Sequence, residues 1–198
     1  MLIEHLGKSP RIDAEAWVAP DATLCGDVTV GPGSRVMHGA RIIAEGGAIV
    51  IGRSAIVMQN AVLRSTVTHD CRIGDHVLVG PGAHVVGSTV EDEVFLATGT
   101  AIFHASRLGR GSVVRINGVV HVNSVLAPET TVPIGWIACG NPAQLFSPDR
   151  HDDLWAAQER MNFALTAYGI EGPMSDSMTA VTNVVSDRLI SHREDKLV

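Results

Sequence analysis

Every sixth residue from Val90 is aliphatic: Val90, Leu96, Ile102, Leu108, Val114, Val120, Leu126 and Val132. The adjacent frame (Glu91, Ala97, Phe103, Gly109, Arg115, His121, Ala127, Pro133) is mixed, so the aliphatic frame is a true register. Four residues after each aliphatic position stands a mostly small one: Val94, Thr100, Ser106, Ser112, Gly118, Ser124, Thr130. A period of six fits neither an amphipathic helix nor an alternating strand. It fits the hexapeptide parallel β-helix, in which each hexad supplies one short strand and a corner. The aliphatic residue points into a narrow core and the small one fits at the turn. A single coil cannot bury its own face, so coils stack.

The register extends upstream through Val18, Leu24, Val30, Val36 and Ile42. After a slip of three it resumes at Ile51, Val57 and Leu63, and after a slip of four at Ile73, Val79 and Val85. A regular solenoid needs no insertions, so the extra residues at Ala44–Val50 and Thr66–Arg72 are candidate functional loops or tolerated drift. Residues 1–10 are expected to form an opening strand and 11–140 the solenoid proper. Gly140-Asn141-Pro142 breaks the register. Ser147 and Pro148 read as the N-cap and first position of a helix running to Gly169, with Leu154, Met161, Leu165 and Tyr168 on its packed face. The expected organisation is a β-helix domain over 1–146, a helix packed on it over 147–169, and a weakly helical or mobile tail over 170–198.

Hydrophobic residues make up 45% of the 198 positions but aromatics only 4%, which suits a core of stacked Val, Ile and Leu. A net charge of −6 without a basic run argues against nucleic acid as a partner. No apolar stretch reaches membrane-spanning length, and the first residues do not read as a signal peptide. Cys25, Cys71 and Cys139 lie far apart, which suggests reduced thiols in a cytoplasm. Without a CxxC pair, a cysteine-based metal site is not expected.

The strings GDVTVGPGSRVMHGARIIAE, VMQNAVLRST, IGDHVLVGPGAHVVGSTV and CGNPAQ resemble the γ-class carbonic anhydrase family of hexapeptide-repeat proteins over roughly residues 11–146. The resemblance implies a left-handed β-helix, a homotrimer, and active sites between subunits where three histidines hold a catalytic metal. The matching positions here are Arg64, Pro81 and Val86. A guanidinium has no lone pair to give, and proline and valine side chains carry no donor atom. A catalytic zinc needs about three protein ligands, so none is expected at this position. The family's Arg-Gly-Asp string is Ile43-Ala44-Glu45, and its glutamine is Met58. Carbonic anhydrase activity is therefore ranked last among the functions.

Stacking the coils places Ile43, Arg64, Val86, Phe103 and His121 in one column. A neighbour's facing column would read His38, Gln59, Pro81, Thr98 and Ile116. This predicts an inter-subunit cleft with Arg64 as anchor for a small anionic or acyl substrate and Glu45 or His121 as acid or base. Gln59, Phe103, Thr98 and Arg115 would be its substrate-binding residues. The competing reading pairs Arg64 with Glu45 across the subunit boundary, with no ligand. Another metal site built from His84, His104 and His121 is a third possibility at this stage. No cofactor is required, although the Gly140-Asn141-Pro142-Ala143 string is shared with coenzyme A-dependent hexapeptide acyltransferases. Only Arg150 and Arg160 lie near it to bind phosphate. The function classes left open are a metal-independent enzyme, a coenzyme A-dependent acyltransferase, and a non-catalytic trimeric binder or scaffold.

Overall fold

The computed structural model describes the backbone of residues 1–172 and 174–198, and all side chains there except those of 174–176. The first 146 residues coil into a left-handed parallel β-helix of triangular cross-section. Its first face stacks, in order along the axis, Leu2–Glu4, Thr23–Cys25, Arg41–Ala44, Val62–Ser65, His84–Val86, Ala101–Ile102, Val119–Val120 and Ile137–Gly140. The other two faces carry seven short strands each, from Arg11–Ile12 to Val125–Leu126 and from Trp17–Val18 to Thr131–Val132. Regular coils repeat at 18 positions, as in Leu108 opposite Leu126 and Val114 opposite Val132.

The aliphatic register is the core. Val90, Leu96, Ile102, Leu108, Val114, Val120, Leu126 and Val132 are all at most 1% exposed. Most of the small-residue column is buried with them, and several of its hydroxyls bond locally, while Thr100 Oγ1 and Ser112 Oγ are buried without a partner. Ser106 Oγ donates to the Phe103 carbonyl at 2.6 Å, and Ser34 Oγ donates to the Gly52 carbonyl at 2.7 Å. A larger side chain there would fill the space the turning chain needs.

The two insertions stack on one another at a single corner. Gly47 N–H donates to the Thr66 carbonyl, Ser65 Oγ donates to the Gly47 carbonyl, and the Asp70 carboxylate accepts from Ala48 N–H at 2.9 Å. A Cβ on Gly47 would meet the Thr66 carbonyl oxygen at 2.6 Å, so this approach requires glycine. The extra residues thus form one built corner beside Arg64.

Beyond the hairpin of Ile137–Gly140 and Ala143–Phe146, the chain departs from the expected single helix. Ser147 does not cap a helix. Its carbonyl accepts from Arg150 N–H in a turn, and helix α1 spans His151–Glu159. Asn162, in the left-handed region at φ 47°, separates it from helix α2, Phe163–Tyr168. The break rotates the packed face, so Ala164 and Ala167 are buried while Leu165 is 44% exposed. Gly169 ends α2 at φ 75°, as the sequence suggests. Helix α3 spans Met174–Leu189 and buries Val181. Pro173, within the expected tail, lies outside the described residues.

Lys196–Leu197 then pairs antiparallel with Leu2–Glu4 at the opposite end of the first face from the hairpin. The C-terminal segment is therefore a strap that returns along the solenoid. Seven strand steps separate the two ends, about 34 Å at ordinary strand spacing.

Leu63, fully buried in the coil widened by the insertions, tests the stacked core. Leu63→Ala is expected to cost about 2–5 kcal/mol in urea unfolding. Val67→Ala, in the neighbouring loop at 62% exposure, is expected to stay within about 0.5 kcal/mol of the parent.

Candidate functional site

Strand register fixes what surrounds Arg64. It pairs with Ile43 on one side and Val86 on the other, and Cys25 pairs with Ile43 one coil further. Continuing one residue past the Val85–Ile102 and Ile102–Val120 pairs extends the column to Phe103 and His121. The column read from the sequence is thus the one the strands build. Arg64 and His121 are three strands apart in it, about 14 Å.

Arg64 Nη2 donates to Glu45 Oε2 at 2.7 Å within the same chain. The pair needs no subunit boundary, because Ala44 is opposite Ser65 and Glu45 leaves that strand at the same corner. One guanidinium edge remains uncommitted to Glu45. Arg64 lines a cavity of about 140 Å³ together with His5, Glu45, Thr66, His104, Tyr168 and Arg188. Its cover comes from α2, α3 and the insertion corner. Within this chain, the pocket beside Arg64 is lined by the solenoid, the insertion corner and the strap together.

Two arginines and one glutamate line this cavity. Arg188 Nη2 also donates to the Tyr168 carbonyl at 3.3 Å, which ties α3 to α2. Burial, with His69, Arg64 and His84 nearby, lowers the His104 pKa to about 4. His104 is therefore neutral at pH 7, and its buried Nδ1 has no hydrogen-bond partner. His84 Nε2 is likewise buried and unpartnered, and burial and Arg64 lower its pKa. Arg188 is not singled out by the sequence, and Tyr168 is read there only as part of a helix's packed face. Only the return of the strap brings them here, and no local pattern signals it.

His121 belongs to a different place. It lines a cavity of about 320 Å³ with Phe103, Val119, Leu154, Gln158 and Phe163. Gln158 Nε2 donates to His121 Nε2 at 3.1 Å, Nδ1 is buried without a partner, and burial lowers the imidazole's pKa. His84, His104 and His121 do not form a converging ligand group within this chain among the described residues.

Gln59, Pro81 and Thr98 occupy the corner column that leaves the third face, which continues to Ile116, and Arg115 stands one residue before Ile116. Gly82 N–H donates to the Gln59 carbonyl, Gly99 N–H to that of Pro81, and Asn117 N–H to that of Thr98. Pro81, Thr98 and Arg115 line a cavity of about 380 Å³ with Leu78, Phe95, Ile116 and Ile134. They line neither the Arg64 cavity nor the His121 cavity. The sequence-derived residues therefore divide among three places: Arg64 with Glu45, His121 with Phe103, and the third-face corner.

The family's zinc does not fit this donor set. Arg64 and Val86 stand side by side on paired strands and Pro81 lies on a separate corner, so no lone pair is offered at any of the three positions.

No family model matches the chain. It is 32% identical over 149 residues to the mitochondrial γ carbonic anhydrase 1 of Arabidopsis thaliana, covering 72% of this chain and 52% of that protein. It is 25% identical over 154 residues to a carbonic anhydrase of Geobacillus kaustophilus, covering 78% of this chain and 81% of that protein. The chain spans about half the length of the Arabidopsis relatives it matches. Among solved structures, a putative acetyltransferase of Bacillus cereus superposes with a TM-score of 0.56 at 17% identity, covering 94% of this chain and 96% of that one. A UDP-N-acetylglucosamine acyltransferase of Bacteroides fragilis does so at 0.58 and 14%, covering 94% and 85%. These structural likenesses speak to the fold alone. Descent and architecture agree: the chain belongs to the γ-carbonic-anhydrase-like family of hexapeptide-repeat β-helix proteins, with all three metal-ligand histidines replaced.

Proposed function

We propose that the chain is an enzyme that acts on a small anionic or acyl substrate anchored at Arg64, without a catalytic zinc. One observation carries this reading: an arginine stands in strand register where, by the family resemblance, a metal ligand would stand, and it lines a cavity that Arg188 also lines. Charge-assisted, bidentate donation is the natural use of such a group toward carboxylate, bicarbonate or phosphate. At about 140 Å³ the cavity is smaller than a typical ligand pocket, so it suits the anionic end of a substrate.

Glu45, held by Arg64, is the acid or base in this reading. His104 offers its unpartnered Nδ1 as a further hydrogen-bond site. His121, three strands away, falls outside this unit.

The assembly that accompanies this reading is a homotrimer. Phe95, Ile116 and Ile134 are 43%, 46% and 60% exposed on the third-face corner, and together with Leu78 they form an apolar strip. Such a strip fits a second copy of the chain. On this reading Gln59, Pro81, Thr98 and Arg115 face the neighbour.

A second reading is supported by His121: acyl transfer with coenzyme A as donor. A neutral imidazole lining a largely apolar cavity is suited to act as a general base toward an acceptor hydroxyl or amine through Nε2, in place of the bond that Nε2 accepts from Gln158. It requires saturable coenzyme A binding, and none at roughly millimolar ligand would remove it. A non-catalytic scaffold requires instead that changes at Arg64, Glu45 and His121 alter only assembly or stability.

Titration with acetate, bicarbonate, inorganic phosphate and short acyl thioesters tests the first reading. Arg64→Ala is expected to weaken anion binding about 10- to 100-fold, the loss of one charged hydrogen bond, with mass by light scattering unchanged. Arg64→Lys should recover part of it. An Arg64→Ala protein that binds every anion as the parent does would end the proposal. Carbon dioxide hydration is expected at the buffer rate.

The His104 environment predicts a pH dependence. Its folded pKa of about 4 lies below the ordinary value of 6.5, so between these values the unfolded chain binds more protons. This contribution to stability is fully present above pH 6.5 and is lost as pH falls toward about 4. Urea unfolding across that window should show the fall, and His104→Gln should flatten it.

A further inference from the structure

The pairing of Lys196–Leu197 with Leu2–Glu4 sets Ile3 opposite Leu197 and Glu4 opposite Lys196. On the other side of the first strand, Ile3 is opposite Cys25. These two pairings bring His5, Cys25, His192 and Asp195 together at the end of the solenoid. One ligand atom from each lies within 4.8 Å of all the others. His5 Nδ1 is 2.6 Å from Asp195 Oδ1, His192 Nδ1 is 2.8 Å from Oδ2, and Cys25 Sγ is 3.8 Å from that same Oδ2. The two imidazoles are stacked, with centroids 4.2 Å apart and planes 19° from parallel. Cys25 and His5 are 2% and 3% exposed.

A carboxylate bridging two imidazoles is explained by hydrogen bonding alone. The Cys25 thiol donates to the same carboxylate at 3.8 Å, so a third ligand-type side chain converges on the pair, with all four ligand atoms within 4.8 Å of one another. Two nitrogens, one sulfur and one carboxylate oxygen form a donor set that zinc accepts, with Zn–N and Zn–O near 2.0–2.2 Å and Zn–S near 2.3 Å. In a tetrahedron of such bonds the donor atoms stand roughly 3.2–3.8 Å apart. Around Asp195 Oδ2 the separations are 2.8 Å to His192 and 3.8 Å to Cys25, and His5 contacts the other oxygen at 2.6 Å. All four groups lie within 4.8 Å, so side-chain shifts of under about 1 Å per contact would bring them to that spacing. Thiolate and imidazole select against magnesium and calcium, which take oxygen ligands.

We propose that His5, Cys25, His192 and Asp195 bind one zinc-like transition-metal ion in a closed, structural site. It is not the family's catalytic position. None of Arg64, Pro81 or Val86 takes part, and Cys25 is two strands from Arg64 through Ile43, about 10 Å. Four protein ligands leave no open position for a substrate water, so the ion's role is to fasten the strap. Two ligands come from the first two coils and two from the last residues of the described chain. The bound metal therefore closes the C-terminal segment against the N-terminal strand.

The test uses the untagged full chain, loaded with zinc or cobalt(II), dialysed, and measured by elemental analysis and absorption. About one metal per chain is expected, and the cobalt form should show thiolate-to-cobalt charge transfer with tetrahedral ligand-field bands. Hydrogen exchange of residues 190–198 should slow on loading. His192→Ala and Asp195→Asn alter a partly exposed segment and leave the solenoid core untouched. Their folding is checked by circular dichroism, and metal retention should fall at least about tenfold. Cys25→Ser should abolish the charge-transfer band. A folded parent that retains no metal after loading would overturn the proposal. So would equal retention in the His192→Ala/Asp195→Asn double variant, or a cobalt form without the thiolate band.

Discussion

In-register stacking of short parallel strands is the constraint from which the rest follows. Each strand of two to four residues has its partners only in the coils above and below, so no strand is stable by itself. Leu24, Ile42, Leu63, Val85, Ile102 and Val120 must lie directly over one another, and a one-residue shift would turn that row outward. The insertions obey the same rule. They leave the register before Ile49 and before Cys71, and both strands re-enter it paired with each other. Extra chain is thereby confined to one corner, where its own hydrogen bonds hold it.

A scaffold this strict separates position from chemistry. The residue after Leu63 projects from the same place whether it is a metal ligand or an arginine, because the strand bonds of its backbone fix it between Ile43 and Val86. Replacing ligands along the column therefore removes a metal site without disturbing the core beneath. What is left is a fixed charge, and Glu45 partly balances it from the adjacent coil. The fold thus constrains where chemistry can sit and says little about which chemistry it is.

The same separation explains what can be read from the sequence. The solenoid, its core row and the small-residue column are legible because each depends on residues six or eighteen positions apart, whereas the missing ligands are legible only through the resemblance to the γ-class family. The helical region is less so. Ser147 and Pro148 form a plausible cap in sequence, yet the hairpin of Ala143–Phe146 sets the direction of exit and the helix starts at His151. Asn162 breaks an apolar stripe that otherwise looks continuous. The grouping of site residues is legible only as columns. Arg64 and His121 share one, but three strands of height place them in different cavities. The His5–Cys25–His192–Asp195 cluster leaves no trace in spacing, because its outermost members are 190 positions apart and a search for CxxC pairs cannot find it.

The strap is where these long-range features meet. It supplies Tyr168 and Arg188 to the Arg64 cavity, and a few residues later His192 and Asp195 to the cluster. His5 belongs to both, as a wall of the cavity and as a member of the cluster. Displacement of the last residues would therefore open the end of the cavity and withdraw Arg188 with the helix that carries it. Holding those residues does the reverse, keeping Arg188 in the wall of the cavity that Arg64 lines. An anion between Arg64 and Arg188 and a cation among His5, Cys25, His192 and Asp195 would each favour the same closed strap. Ligands that favour one common state favour each other's binding, and the coupling is reciprocal.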